Sequence, residues 1–281
     1  MKTKEVLMKI VFFLCACVSI VAVAAICIFM FINGVPAIGE IGLKEFLFGT
    51  VWRPGQNLFG IFPMIIGSIY VTAGSIIIGV PTGILCAVFL AFYCPKNLYA
   101  IIKPAVGLLA GIPSIVYGFF GLVVIVPIMQ TLTLTSGKGI LTASILLGIM
   151  ILPTIIEVSD SSLRAVPTAY YEGSLALGAT KERSIFKSVI VAAKSGVMSA
   201  VILGIGRAIG ETMAVIMVAG NQAAIPSSAL SGVRTLTANI VLEMAYAADL
   251  HREALIATAV VLFVFILIIN LCFSLIKRRD G

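Results

Sequence analysis

Uncharged apolar residues come in runs long enough to cross a lipid bilayer, and the polar positions gather in the stretches between them. The first run, about 10–32, follows Lys2, Lys4 and Lys9 and carries no charge. A hydrocarbon core needs about 20 apolar helical residues, so this run is predicted to span it. A cleaved signal would have a shorter apolar centre of about 7–15 residues, so the helix is expected to be retained. Five further spans are predicted at about 65–93, 104–130, 140–156, 188–218 and 254–276. Gly34, Pro36, Gly49, Pro54 and Gly55 are expected to break the chain into a mixed loop after the first span. The third span is rich in Gly and Pro, which a membrane helix tolerates where neighbours or a cavity resatisfy the backbone. The pattern therefore predicts an all-α, polytopic membrane protein with six transmembrane helices in one domain over 1–281.

Between the fourth and fifth spans lies the most polar stretch of the chain. Pro167 can open a helix there, Glu172 sits early enough to favour its positive end, and Gly178 can stop it. A short helix outside the bilayer is expected within about 164–182. It is either an ordinary connection or a docking element for a partner.

Composition supports the membrane reading. The chain is 60% hydrophobic and 11% charged, against roughly 45–50% and about 25% in soluble domains. The net charge of +7 is spread over short clusters between apolar runs, which is where topology signals sit. Nucleic-acid binding is not expected. On the predicted topology 13 Lys and Arg lie on one side and five on the other, which places both termini and the 164–182 segment in the cytoplasm. The six cysteines form no C-x-x-C pair, and no metal site is expected. His251, the one histidine, stands beside Arg252 in a polar connection and is expected to be solvated.

Candidate chemistry concentrates in the fifth span, where Arg207 and Glu211 interrupt an apolar run. An arginine at mid-bilayer costs about 2.5–3.5 kcal/mol on insertion scales and needs a partner or water. On a continuous helix Glu211 is four residues on and can pair with it. Gly206 and Gly210 share that spacing and would let another helix approach closely. The pair fixes helix packing, lines a translocation path as a gate or anion contact, or lies at an interface if the span is placed differently. Glu211 is the one acid deep in a predicted span, which argues against an ion-coupled secondary transporter. No nucleophile–base or metal constellation suggests an intramembrane enzyme. A phosphate-binding Walker loop is also missing, since Leu132 stands where its first glycine belongs before Gly137-Lys138.

Two sets of motifs carry a resemblance. Glu172, Gly173, Ser174 and Gly178 resemble the E-A-A-x-x-x-G loop of bacterial ABC importer permeases, with Gly173-Ser174 where that loop has alanines and Val191 where it has proline. Leu109-Ala-Gly-Ile-Pro-Ser-Ile-Val-Tyr-Gly118, Ile149-Met-Ile-Leu-Pro-Thr154, Leu163-Arg-Ala-Val-Pro167, Leu177-Gly-Ala-Thr180 and Arg207-Ala-Ile-Gly-Glu-Thr-Met-Ala-Val215 are similar to the PstC-type phosphate permeases. Trp52-Arg-Pro and Thr235-Leu-Thr-Ala238 continue the likeness. The resemblance implies a subunit of a phosphate importer in the bacterial inner membrane, with a PstA-type sister permease, two copies of a PstB-type ATPase and a PstS-type binding protein. It implies that Glu172, Gly173, Ser174, Gly178, Ala179 and Thr180 couple to the ATPase, and that Arg207 and Glu211 matter for transport. ATP and Mg would bind the ATPase, and this chain would hold no cofactor. Sulfate or molybdate is the alternative cargo, because an arginine attracts any of these oxyanions.

Overall fold

The computed structural model describes residues 2–279; the side chains of Lys2, Lys4, Lys277, Arg278 and Arg279, which supply part of the charge bias, lie outside the described residues. Helix α1 (Lys2–Ile41) runs well past the expected stop at 32. Gly34 and Pro36 do not break it, because its last turns pack against the terminal helix α14 (Asp249–Arg279). A Cβ on Gly34 would come within 2.8 Å of Val260 Cγ2, and Ala37 is fully buried. That packing outweighs the one backbone hydrogen bond that Pro36 removes. The short helix α2 (Leu43–Phe48) and an antiparallel hairpin, β1 (Trp52–Arg53) and β2 (Leu58–Phe59), follow.

Helix α3 (Phe62–Val88) continues through a π turn, Phe89–Tyr93. The expected span 104–130 is two elements. Helix α4 (Lys96–Ala110) ends at Gly111, and α5 (Ser114–Phe120) starts after Pro113, then passes through a π turn (Gly121–Ile125) into α6 (Val126–Thr133). Proline restricts the residue before it and lacks an N–H, so the chain restarts its helix at that point. Helix α7 (Ile140–Arg164) extends to Arg164 rather than 156, because its polar last turns find partners on α4 and in the π turn after α3.

Helix α8 (Thr168–Ala176) stands at the end of the bundle where α3 and α7 finish. Beyond it, α9 (Lys181–Ser184), a π turn and α10 (Ile190–Ala192) lead to α11 (Lys194–Gly210) and α12 (Met213–Val218). The expected fifth span, 188–218, is thus bent by 74° near Ala193 and interrupted again at Glu211–Thr212. Helix α13 (Leu236–Glu243) lies at the opposite end, beside the hairpin. Among the described residues five helices are long and apolar enough to cross a membrane, and the bent pair Lys181–Ala192 with Lys194–Gly210 is a sixth if it crosses as one span. The central core joins α3, α7 and α12 through Val71, Leu146, Met150 and Val215. The exposed apolar flank of α1, with Phe12, Phe13 and Ile20, suits contact with lipid tails.

Candidate functional site

Helix α11 packs on α7 through Gly204, where a Cβ would sit 2.9 Å from Ile155 Cγ1. This close approach sets Arg207 beside α7. Its Nη1 donates to Thr154 Oγ1 at 3.2 Å. On α5, the Tyr117 hydroxyl donates to the Leu109 carbonyl at 2.9 Å, across the break between α4 and α5. A guanidinium carries five N–H donors. Arg207 is half-buried, and Thr154 is its hydrogen-bond partner among the described residues. The remaining donors have no protein partner among the described residues and are of a kind that suits an oxyanion.

The expected ion pair with Glu211 is not made. Helix α11 stops at Gly210, and Glu211 is extended, with φ −71° and ψ 130°. Its Oε1 accepts from Ala214 N at 3.1 Å in the first turn of α12, while Thr237 Oγ1 donates to its carbonyl at 3.1 Å. Pairing at four residues requires a continuous helix, and the interruption turns this carboxylate toward the free N–H groups of α12 instead. Gly206 and Gly210 meet no helix of this chain. Both are exposed, and a Cβ on either meets nothing within 4 Å, so in this chain Gly204 makes the tight contact.

Sequence reasoning missed Glu157. It ended the fourth span at 156, whereas α7 continues and carries this acid one turn beyond Thr154. Glu157 is half-buried, lies 3.1 Å from where a Cβ on Gly107 would be, and has no hydrogen-bond or ion-pair partner among the described residues. Thr154 and Glu157, one turn apart on α7, thus lie against Arg207 of α11 and Gly107 of α4 respectively. The signal available in the sequence was the polar run from 157 to 164, read as a connection rather than as helix.

The second predicted site, on α8, is open. No α8 residue is fully buried, and Glu172 and Gly173 are exposed. Gly178 adopts φ +85°, the left-handed conformation in which glycine carries no steric penalty. Gly178 N donates to Leu175 O and Ala179 N to Ser174 O, which closes the helix in a Schellman turn. Thr180 accepts from Arg183 N and caps α9. The helix is braced by Tyr171 stacked on Phe92, with centroids 6.2 Å apart, and by Ser188 Oγ donating to Tyr170 O.

At the far end, His251 is not solvated as expected. Its Nε2 lies 2.9 Å from Glu243 Oε2, which also accepts from Trp52 Nε1 at 2.8 Å. Arg234 pairs with Glu243 Oε1 and donates to Asn239 Oδ1. This cluster ties the hairpin to α13 and α14. Among the described residues no group of three His, Cys, Asp or Glu could hold a metal ion.

Residues 79–279 match the family described as binding-protein-dependent transport system inner membrane component. The chain is 39% identical over 267 residues to a probable ABC transporter permease protein, YqgH, of Bacillus subtilis, covering 91% of this chain and 86% of that one. It is 35% identical to a phosphate transport system permease protein, PstC, of Mesorhizobium japonicum, covering 95% and 88%. A probable PstC of Methanocaldococcus jannaschii is 30% identical, covering 86% and 84%. Among solved structures, the inward-facing MetNI methionine ABC transporter superposes with TM-score 0.63 at 20% identity, over 82% of this chain and 100% of that one. A bacterial ABC transporter that imports the acidic polysaccharide alginate superposes with TM-score 0.59 at 14% identity, over 93% and 95%. At such identities the likeness concerns the fold.

Proposed function

Since the chain belongs to the family of binding-protein-dependent transport system inner membrane components, we propose that it is the permease subunit through which an ATP-driven importer carries inorganic phosphate into the cytoplasm. The observation that carries the reading is Arg207, a half-buried guanidinium on a membrane-crossing helix with donors to spare. Such a charge is costly in a bilayer unless an anion or water meets it. The names of the PstC relatives supply the identity of the anion.

Importing a dianion against an inside-negative potential costs about 4.6 kcal/mol per 100 mV, from about 2.3 kcal/mol per charge. In this reading a separate ATPase, present in two copies and binding ATP and Mg, supplies that work. It docks on α8, the exposed helix closed by Gly178. A sister permease of PstA type completes the path, with the exposed α11 face of Leu203, Gly206 and Gly210 turned toward it. A PstS-type binding protein delivers phosphate to the end bearing the hairpin and α13. The bias of 13 cations against five puts α8 and both termini in the cytoplasm.

The test is uptake of radiolabelled phosphate in cells with and without this chain, with sulfate as competitor. Uptake should depend on the chain and resist excess sulfate. Undiminished uptake in its absence, or uptake abolished by sulfate, would sink the assignment.

A further inference from the structure

We propose that Asp160 is a positioning residue that makes α4 follow the α8 end of α7, so that a displacement of α8 is felt beside Arg207. The proposal rests on the importer reading above and adds to it the element that connects its two sites.

Asp160 lies one turn before the end of α7 and is 1% exposed. Its Oδ2 accepts from Lys103 Nζ at 2.8 Å and from the Tyr99 hydroxyl at 3.0 Å, both on α4. Its Oδ1 accepts from Arg164 Nε at 2.9 Å. Arg164 continues through Nη2 to the Leu90 carbonyl at 2.6 Å, in the π turn after α3, and its guanidinium sits 4.2 Å above the Tyr99 ring. One buried carboxylate therefore gathers α3, α4 and α7.

Stability alone is a poor reason for this arrangement. The desolvation of a buried ion pair can exceed its Coulombic gain, and apolar packing often stabilises as well or better. What directional ionic contacts add is register. Helix α4 meets α7 through a small apolar cluster, Val106 and Ile102 against Ile156 and Leu152, and the directional contacts at this seam are those of Lys103 and Tyr99 to Asp160. Lys103 and Arg164 retain 28% and 42% of their side-chain exposure, which leaves water access for the contacts to exchange.

The neighbours of the cluster give it two ends. Arg164 is followed by Ala165, Val166 and Pro167, and then by α8. In the other direction α4 is a strut of 15 residues, about 22 Å at 1.5 Å per residue. It ends at the Gly111–Pro113 break, where Tyr117 bonds back to Leu109 O, and its Gly107 lies against Glu157, one turn along α7 from the Thr154 that holds Arg207. Movement of α8 relative to α3 would load the Asp160 contacts first, and α4 would carry it to the break.

The complete transporter, reconstituted in liposomes with its ATPase and loaded binding protein, provides the test. ATP hydrolysed and phosphate delivered are read together for wild type, Asp160→Asn, Lys103→Met and Asp160→Glu. Asp160→Asn and Lys103→Met should keep most of the stimulated ATPase rate while phosphate delivered per ATP falls roughly threefold or more. Asp160→Glu, which keeps the charge, should restore most of that ratio. A purely structural role would lower assembly and both rates together, leaving the ratio unmoved. An unchanged ratio in Asp160→Asn, or in Lys103→Met where the Asn variant does not assemble, overturns the proposal, as does a Glu variant no better than Asn. A wild-type complex that delivers no phosphate would count instead against the functional reading, and the ratio would be taken with the oxyanion it does deliver.

Discussion

Arg207 on α11 is held to α7 by one hydrogen bond, to the Thr154 hydroxyl at 3.2 Å, and by no ion pair among the described residues. A charge that a neutral hydroxyl leaves largely unmatched is poised for a mobile counter-ion. Each hydrogen bond to a charged group contributes about 1.5–3 kcal/mol. Arg207→Gln should therefore lower phosphate uptake about tenfold to a hundredfold, at about 1.4 kcal/mol per decade. The complex should still assemble. Thr154→Val should cost far less. Uptake assays beside copurification of the ATPase check both, and wild-type uptake by Arg207→Gln would remove Arg207 from the path.

Glu211 is predicted to act through α12 rather than through Arg207. Its carboxylate accepts from Ala214 N, a bond that a glutamine oxygen can also make. Glu211→Ala should destabilise by about 1 kcal/mol, the usual worth of a helix cap, and Glu211→Gln by less. A thermal-unfolding double-mutant cycle of Arg207→Gln with Glu211→Gln should show coupling within about 0.5 kcal/mol, as for groups without a shared contact. Coupling well above that would restore the direct pair.

What was legible from sequence follows the physics of each feature. The first and last spans were plain because continuous apolar runs need no tertiary information. Gly178 was readable because a glycine closing a short helix is a local matter, and its φ of +85° has that cause. Arg207 stood out by its cost in lipid. Its partner did not, since the i,i+4 rule assumes a helix that in fact stops at Gly210. Glu157, Asp160 and His251 were misread for one shared reason: polar stretches were assigned to solvent. Long-range partners, on α4 for Asp160 and on α13 for His251, draw the last two into the fold.

Gly178 itself is open to a clean substitution. A Cβ there meets no atom within 4 Å, so Gly178→Ala has only the left-handed backbone to contend with. That costs about 1–2 kcal/mol for an L-residue. Because α8 buries no residue fully, the thermal stability of the membrane bundle should hardly change. ATPase copurification should fall severalfold. Unchanged copurification would count against α8 as the docking element.

The glycines of α11 separate packing within the chain from packing against another. A methyl on Gly204 would meet Ile155 Cγ1 at 2.9 Å and Cδ1 at 3.0 Å. Helix α11 would have to move away from α7, and overpacking of this kind costs about 1–3 kcal/mol. Gly204→Ala should accordingly lower the thermal stability of the purified chain. Gly206→Ala and Gly210→Ala place their methyls in open space and should leave that stability unchanged. By helix spacing they share a face of α11 with the exposed Leu203, so their effect should emerge only when a second permease packs there. Close helix approach in membranes depends on such small residues. Coexpression with the sister permease should therefore yield less heterodimer for Gly206→Ala and Gly210→Ala than for wild type. Equal yields for all three would show that this face meets lipid or the path rather than a partner helix.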